Sequence, residues 1–193
     1  MRVSGGEYAR RTIAAPKGAK TRPTGAKVRE ALFGVLGKQV EGARVLDLFA
    51  GSGALGFEAI SRGAASVVFV DMDAAAVMAI RRNAVRLIGD SHRWRVMPKS
   101  VLRALRLLRG KFNVVFADPP YDRGAAAELV LLMQRGLLAP DGVVVVEHRS
   151  SMPLELPASM EMMKRSKYGD TALTFAGVRG RGAMTSRRPR HTR

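Results

Sequence analysis

The chain contains no cysteine, three histidines, one tryptophan, and 16 acidic residues against 33 basic ones. Each shortage excludes a class of protein. Without cysteine there are no disulfides and no thiolate metal site. His92, His148 and His191 are too scattered in sequence to build a metal centre, so no metal is expected. No apolar run approaches the roughly 20 residues that cross a bilayer; strongly apolar stretches such as Val143-Val144-Val145-Val146 are only a few residues long. The first eleven residues carry Arg2, Arg10 and Arg11 beside Glu7 and lack the apolar centre of a secretory signal. The expectation is a soluble, cytoplasmic protein that does not span a membrane.

What is present points to a folded chain with a polyanionic partner. A chain of 193 residues with 47% hydrophobic content can bury on the order of 70% of its unfolded surface without staples, and one domain is the default. Charged residues make up 25%, so the net charge of +17 comes from a scarcity of acids rather than from a dense polycation. Nucleic acid is the leading partner, because Lys and Arg that neutralise phosphates release counterions; an acidic membrane surface is the rival. The charge is uneven: residues 1–44 carry +7, residues 45–150 carry +4 and residues 151–193 carry +6. A nearly balanced middle is thus flanked by basic ends, of which 178–193 holds six Arg and no acid and reads as a basic disordered tail. That tail is equally compatible with RNA contact and with a solubilising end.

Short apolar runs alternate with amphipathic ones. Strands are expected at 43–49, 66–70, 95–97, 112–117 and 142–147, with helices at 27–36, 54–62, 74–87, 101–108 and 125–135. On the first helix Val28, Ala31, Leu32 and Val35 share a face. Two late strands are expected near 160–164 and 172–176, after the breaks at Pro153 and Pro157. Such alternation means an α/β fold with an open, doubly wound sheet, Rossmann-like and mostly parallel, with a late antiparallel strand.

The segment Asp47-Leu48-Phe49-Ala50-Gly51-Ser52-Gly53-Ala54-Leu55-Gly56 leaves the first strand and opens a helix, and Asp71 ends the next strand twenty positions after Gly51. Glycines allow close backbone approach to a ligand, and a carboxylate at the second strand can accept hydrogen bonds from ribose hydroxyls. An adenosine-bearing cofactor follows; a tight turn without a ligand is the weaker alternative. Asp47, four residues ahead of Gly51, would oppose a pyrophosphate but suits a cationic amino-acid group, which favours S-adenosylmethionine over a dinucleotide.

Asp118-Pro119-Pro120-Tyr121 closes the fourth strand. Two prolines fix a turn without free N–H groups, leaving carbonyl acceptors. The Asp118 carboxylate and the Pro119 carbonyl can accept both hydrogens of an exocyclic base amine and turn its lone pair toward an electrophilic methyl, while Tyr121 stacks on a base drawn out of its helix or loop.

With these features in place, the chain resembles the class I S-adenosylmethionine-dependent methyltransferases with a D-P-P-Y box. More narrowly it resembles the RsmD-type family of bacterial small-subunit ribosomal RNA guanine-N2 methyltransferases. The residues carrying the resemblance are Thr21-Arg22-Pro23-Thr24, 28–33, 46–56, 118–121, Val146-Glu147-His148 and Tyr168-Gly169-Asp170-Thr171. The resemblance implies methyl transfer from S-adenosylmethionine to the N2 amine of one guanine in 16S RNA, on an assembled or assembling 30S particle. It implies a methyltransferase domain over 1–177, with 1–42 as a basic RNA-contacting extension, and a monomer. Asp47, Phe49, Gly51, Gly53 and Asp71 match cofactor positions; Asp118, Pro119 and Tyr121 match catalytic ones. Many class I enzymes carry an acid after the third strand for the adenine amine, where this chain has Lys99-Ser100; Ser100 or a backbone group takes that place. Arg22, Thr24 and Arg29 are the candidate RNA contacts, although Arg29 and Glu30 equally fit a solvated helix face. His148 reads as a hydrogen-bonded structural histidine, and Asn83 as an ordinary polar helix position. A DNA adenine or cytosine amino-methyltransferase is the alternative within the class. An RNA-binding assembly factor without catalysis is the alternative outside it, against which the intact box at 118–121 speaks.

Overall fold

A computed structural model of the chain describes residues 1–16, 25–89, 91–120 and 124–180. Five parallel strands come first: β1 Arg44–Leu48, β2 Ser66–Asp71, β3 Trp94–Pro98, β4 Phe112–Ala117 and β5 Leu138–Arg149. They are followed by β6 Met160–Tyr168 and β7 Thr171–Val178. The order across the sheet is β3-β2-β1-β4-β5-β7-β6, with β7 antiparallel to both neighbours. The expected mostly parallel α/β sheet with a late antiparallel strand is what forms. Sequence order reverses between β1 and β4, and that is where an open parallel sheet leaves a crevice beyond its carboxyl ends.

Alternation along the strands sends side chains into two cores. Val45, Val67, Phe69, Val114, Phe116 and Val145 pack with α1 Ala26–Leu36, α2 Ala54–Ser61 and α3 Ala74–Leu87. Leu46, Leu48, Val115, Ala117, Val144 and Val146 face the other way, onto α4 Val101–Leu107 and α5 Ala126–Gln134. A layer of helices on each face is why strands this apolar can exist in water.

Register then fixes the site. Leu48 pairs with Val70 and with Ala117, Ala117 pairs with Val146, and Asp71 pairs with Pro98. One residue further along, Pro98, Asp71, Phe49, Asp118 and Glu147 therefore form one row across the carboxyl ends of five parallel strands.

Three elements differ from the sequence expectation. β5 begins at Leu138 rather than 142, because Leu138 pairs with Phe112 before a register shift. β6 runs on to Tyr168 through the polar stretch Lys164-Arg165-Ser166-Lys167, as an edge strand with a partner on one side can. Tyr168-Gly169-Asp170-Thr171 is the turn joining β6 to β7: Tyr168 pairs with Thr171, and Gly169 takes φ 61°, the region a two-residue hairpin turn requires.

The third difference concerns Arg29, expected as an RNA contact or a solvated position. It is 2% exposed. The buried face of α1 is Arg29, Leu32, Phe33 and Leu36, rotated from the expected face, on which Val28 and Val35 are partly buried. The Arg29 Nε donates to Glu58 Oε2 at 3.3 Å, and its guanidinium also donates to the Arg2 carbonyl at 2.6 Å. Glu58, on α2 and fully buried, further accepts from the Ser4 and Gly5 backbone N–H groups, the Ser4 hydroxyl and Arg62. Burial alone would raise its carboxyl, but the Ser4 N–H and hydroxyl and the Arg62 guanidinium hold it below the usual range. The first residues are thus pinned to the core, with Val3 and Ile13 buried and Arg2 bridged to Thr12.

Arg29→Ala removes a buried ion pair and the bond to the Arg2 carbonyl, while Arg62, Ser4 and Gly5 still hold Glu58. It is expected to lower the unfolding free energy by about 1.5–3 kcal/mol, the value of charged hydrogen bonds, measured by urea titration. An Arg29→Ala protein as stable as the original would refute this role.

Candidate active site

The chain leaves β1 through a strained turn. Phe49 adopts φ 59°, a left-handed conformation that costs an L-residue about 1–2 kcal/mol. Such strain persists where the surroundings enforce it and marks functional turns. Here the Ala50 N–H bonds the Val70 carbonyl at 3.0 Å, and Gly53, at φ 78°, caps α2. A Cβ on Gly53 would lie 2.6 Å from the Phe57 ring, and one on Gly56 would collide with Phe69 and Val67. These two glycines let α2 start close against the sheet, directly after the row of strand ends.

Two carboxylates hold the loop. Asp71 Oδ2 accepts the Gly51 N–H at 2.8 Å and its Oδ1 accepts the Asp73 N–H at 2.9 Å. Each oxygen keeps a second lone pair for a ribose hydroxyl. Asp47 is 2% exposed and its Oδ2 accepts the Gly56 N–H at 2.9 Å. Burial, then the Asp118 and Asp71 charges, push its carboxyl well above the usual range against the opposing pull of that N–H. A cation beside Asp47 would favour its ionised form, which is the chemistry a ligand ammonium or sulfonium brings.

A cavity of about 100 Å³ opens beside this loop, lined by Phe49, Asp71, Met72, Ser100, Val101, Leu102 and Glu128. It brings together three of the expected cofactor residues, Phe49, Asp71 and Ser100. Ser100 precedes α4 without making a side-chain capping bond. Met72 stands at the rim, 73% exposed. Glu128, from the first turn of α5, escaped the sequence reading, although its helical spacing from Ala125, Leu129 and Leu132 puts it on the buried face.

On the other side of Asp118 a second cavity, about 40 Å³, is lined among others by Pro119, Pro120, Glu147, His148 and Met152. Burial, and after it the Glu147 charge, raise the Asp118 carboxyl to about 7. His148 fulfils the structural reading: its Nδ1 lies 2.9 and 3.1 Å from the Arg149 and Met152 carbonyls, so that nitrogen carries the hydrogen, and Nε2 accepts from the Thr174 hydroxyl. Asn83 is not the ordinary polar helix position expected. Buried on α3, its amide bonds both the N–H and the carbonyl of Ala14 and reaches the Ser52 carbonyl, tying the glycine loop to the N-terminal segment. Tyr121, Arg22 and Thr24, with the tail beyond residue 180, lie outside the described residues.

The strand order, the glycine turn with its paired acid and the D-P-P box define a class I methyltransferase. The chain belongs to the family described as Conserved hypothetical protein 95, which matches residues 1–177. It is 34% identical over 174 residues to the Escherichia coli protein named Ribosomal RNA small subunit methyltransferase D, covering 89% of this chain and 87% of that one. The protein of the same name from Haemophilus influenzae is 33% identical over 172 residues, covering 88% and 89%. Among solved structures, the yhhF protein of Escherichia coli superposes with a TM-score of 0.82 at 34% identity, over 92% of this chain and 97% of the other.

Asp118 links the site to stability. A carboxyl near 7 when folded and about 4 when unfolded binds its proton more tightly in the folded state. Its contribution is therefore complete below about pH 4 and is lost as pH rises through 7. Asp118→Asn is expected to be stabilised relative to the original protein at pH 8 and not at pH 4, measured by ligand-free thermal unfolding; an equal difference at both pH values would contradict the raised carboxyl.

Proposed function

We propose that this protein transfers a methyl group from S-adenosylmethionine to the N2 amine of one guanine in small-subunit ribosomal RNA. On this reading it acts as a cytoplasmic monomer on an assembled or assembling 30S particle. The observation that carries the reading is the placement of Asp118-Pro119-Pro120 in the row of strand ends, one strand from the Asp47 loop, in a chain whose relatives are named for small-subunit RNA methylation.

The residues present fit the cofactor. Asp71 retains lone pairs for the ribose, Asp47 is a buried carboxyl that gains from an adjacent cation, and the Phe49 cavity offers apolar walls. The cofactor supplies a methyl carbon already activated on a sulfonium, so no protein nucleophile is needed. What the chain contributes is position. The Asp118 carboxylate and the Pro119 carbonyl accept the two N2 hydrogens, aiming the nitrogen lone pair at the methyl, and Tyr121 stacks on the base. As the N–C bond forms and the S–C bond breaks, the electron pair stays on sulfur and the amine acquires positive charge. Asp118 then takes one amine proton. It is an orienting group and final proton acceptor, not a base that ionises the amine beforehand.

The basic ends, with Arg22 and Thr24 at 17–24, supply phosphate contacts that position the RNA without specifying it. Activity on ribosomal substrate should therefore fall steeply with salt.

The decisive experiment supplies labelled S-adenosylmethionine with 30S particles, naked ribosomal RNA and DNA in parallel and maps any methylated base. The expected product is N2-methylguanine in small-subunit RNA; label in DNA alone overturns the proposal. Asp118→Ala is expected to abolish turnover with cofactor binding retained. Asp71→Ala is expected to weaken cofactor binding about 10- to 100-fold, the loss of a charged hydrogen-bond acceptor. Calorimetry and turnover measured together separate the two roles.

A further inference from the structure

We propose that Glu128 reads the cofactor's base, its carboxylate accepting a hydrogen bond from the exocyclic N6 amine of adenine. This rests on the cofactor reading above and extends it to a residue outside the glycine loop and the D-P-P-Y box.

Glu128 is 3% exposed. It has no hydrogen-bond or ion-pair partner among the described residues, yet none of their buried side-chain oxygens or nitrogens lacks a partner. Its carboxylate oxygens must therefore meet solvent, and the space it lines is the cavity shared with Asp71 and Ser100. An acid buried to this degree and turned into a cavity without a protein donor is a costly arrangement unless a ligand supplies the donor. Its place in the first turn of α5 favours a negative charge there.

The chemistry of the lining selects the ligand group. An ionised carboxylate only accepts, so it pairs with N–H and O–H donors and repels ring nitrogens and carbonyls. Asp71, already tied to the glycine loop, is placed for the ribose. Glu128 lines the same cavity from α5, with Phe49, Val101 and Leu102 as its apolar walls. Of the groups on a purine nucleoside beyond the ribose, the adenine amine is the donor. The Ser100 hydroxyl, free of a capping bond, can donate to the adjacent ring N1. Together Glu128 and Ser100 match the donor and acceptor on the edge of adenine and mismatch hypoxanthine, which has a carbonyl in place of the amine.

The test is calorimetric binding of S-adenosylhomocysteine and S-inosylhomocysteine to the full chain and to Glu128→Ala and Glu128→Gln, with thermal unfolding to confirm that each variant folds. The original protein is expected to prefer the adenine compound about 100-fold or more, because a carbonyl facing the carboxylate leaves both groups unpaired. Glu128→Ala should weaken the adenine compound about 10- to 100-fold and leave the hypoxanthine compound nearly unchanged. Glu128→Gln, whose amide can donate to a carbonyl, should erase most of the preference. A preference that survives both substitutions overturns the assignment, as does an equal loss for both compounds, which would mean a merely structural acid. If the original protein binds neither compound, the cofactor reading itself fails, a result distinct from the other two.

Discussion

Carboxylates crowd the carboxyl end of the parallel sheet, and the rest of the site is arranged around keeping them there. Asp71, Asp118 and Glu147 occupy one row of strand ends, and Asp47 lies two residues inside it on β1. None of Asp47, Asp71 and Asp118 is ion-paired among the described residues; Asp47 and Asp71 are held by backbone N–H groups of the glycine loop and its surroundings. Backbone dipoles stabilise an anion without cancelling it. The contrast is Glu58, where two arginines and Ser4 quench a buried acid completely and the result is structural. The acids at the strand ends keep part of their electrostatic demand, and that demand is what a cationic cofactor and a donor-rich base edge would meet.

This arrangement gives the net charge of +17 a spatial logic. An RNA phosphate is repelled by the acidic row and attracted by the basic ends, while an exocyclic amine is attracted by the row. The same field thus separates backbone from base, the discrimination an enzyme needs if it draws one nucleotide inward and holds the rest of the strand outside. Asn83 and the Arg29–Glu58 pair serve the geometry from a distance. They fasten residues 1–16 to α2, α3 and the Ser52 carbonyl, so the glycine loop is braced from behind as well as by Asp71.

The parts legible in the sequence were those with local causes. Alternation and turn residues gave the order of strands and helices, and β4 and α3 emerge with the expected limits, because a buried parallel strand and a strongly amphipathic helix announce themselves over their own length. The glycine loop and the D-P-P box were readable because their backbone requirements demand particular residues. What escaped depended on partners distant in sequence. Arg29 sits at the spacing of Leu32, Phe33 and Leu36, a signal of inward orientation, but its acid is 29 positions away on another helix. Asn83 meets Ala14 across 69 positions. Glu128 likewise sits at the spacing of Ala125, Leu129 and Leu132, but the cavity it enters is made by the packing of α5 on the second face of the sheet.

The charge balance of the proposed reaction explains why Asp118 sits beside another acid. Before transfer the site holds the cationic methyl donor and an ionised Asp118; afterwards it holds a neutral thioether and a protonated Asp118, so its total charge is unchanged. Burial and Glu147 raise the Asp118 carboxyl to about 7. At that value it remains ionised in a large fraction of molecules near neutral pH, yet binds a released proton far better than an exposed aspartate. An isolated surface carboxylate would orient the amine equally well but accept the proton weakly. A more deeply buried carboxyl, as at Asp47, is held further toward its neutral form, and a neutral acid cannot accept both the amine hydrogen and its proton. The half-buried position at the end of β4, level with Glu147, lies between these limits, and the register of β4 against β5 sets it there.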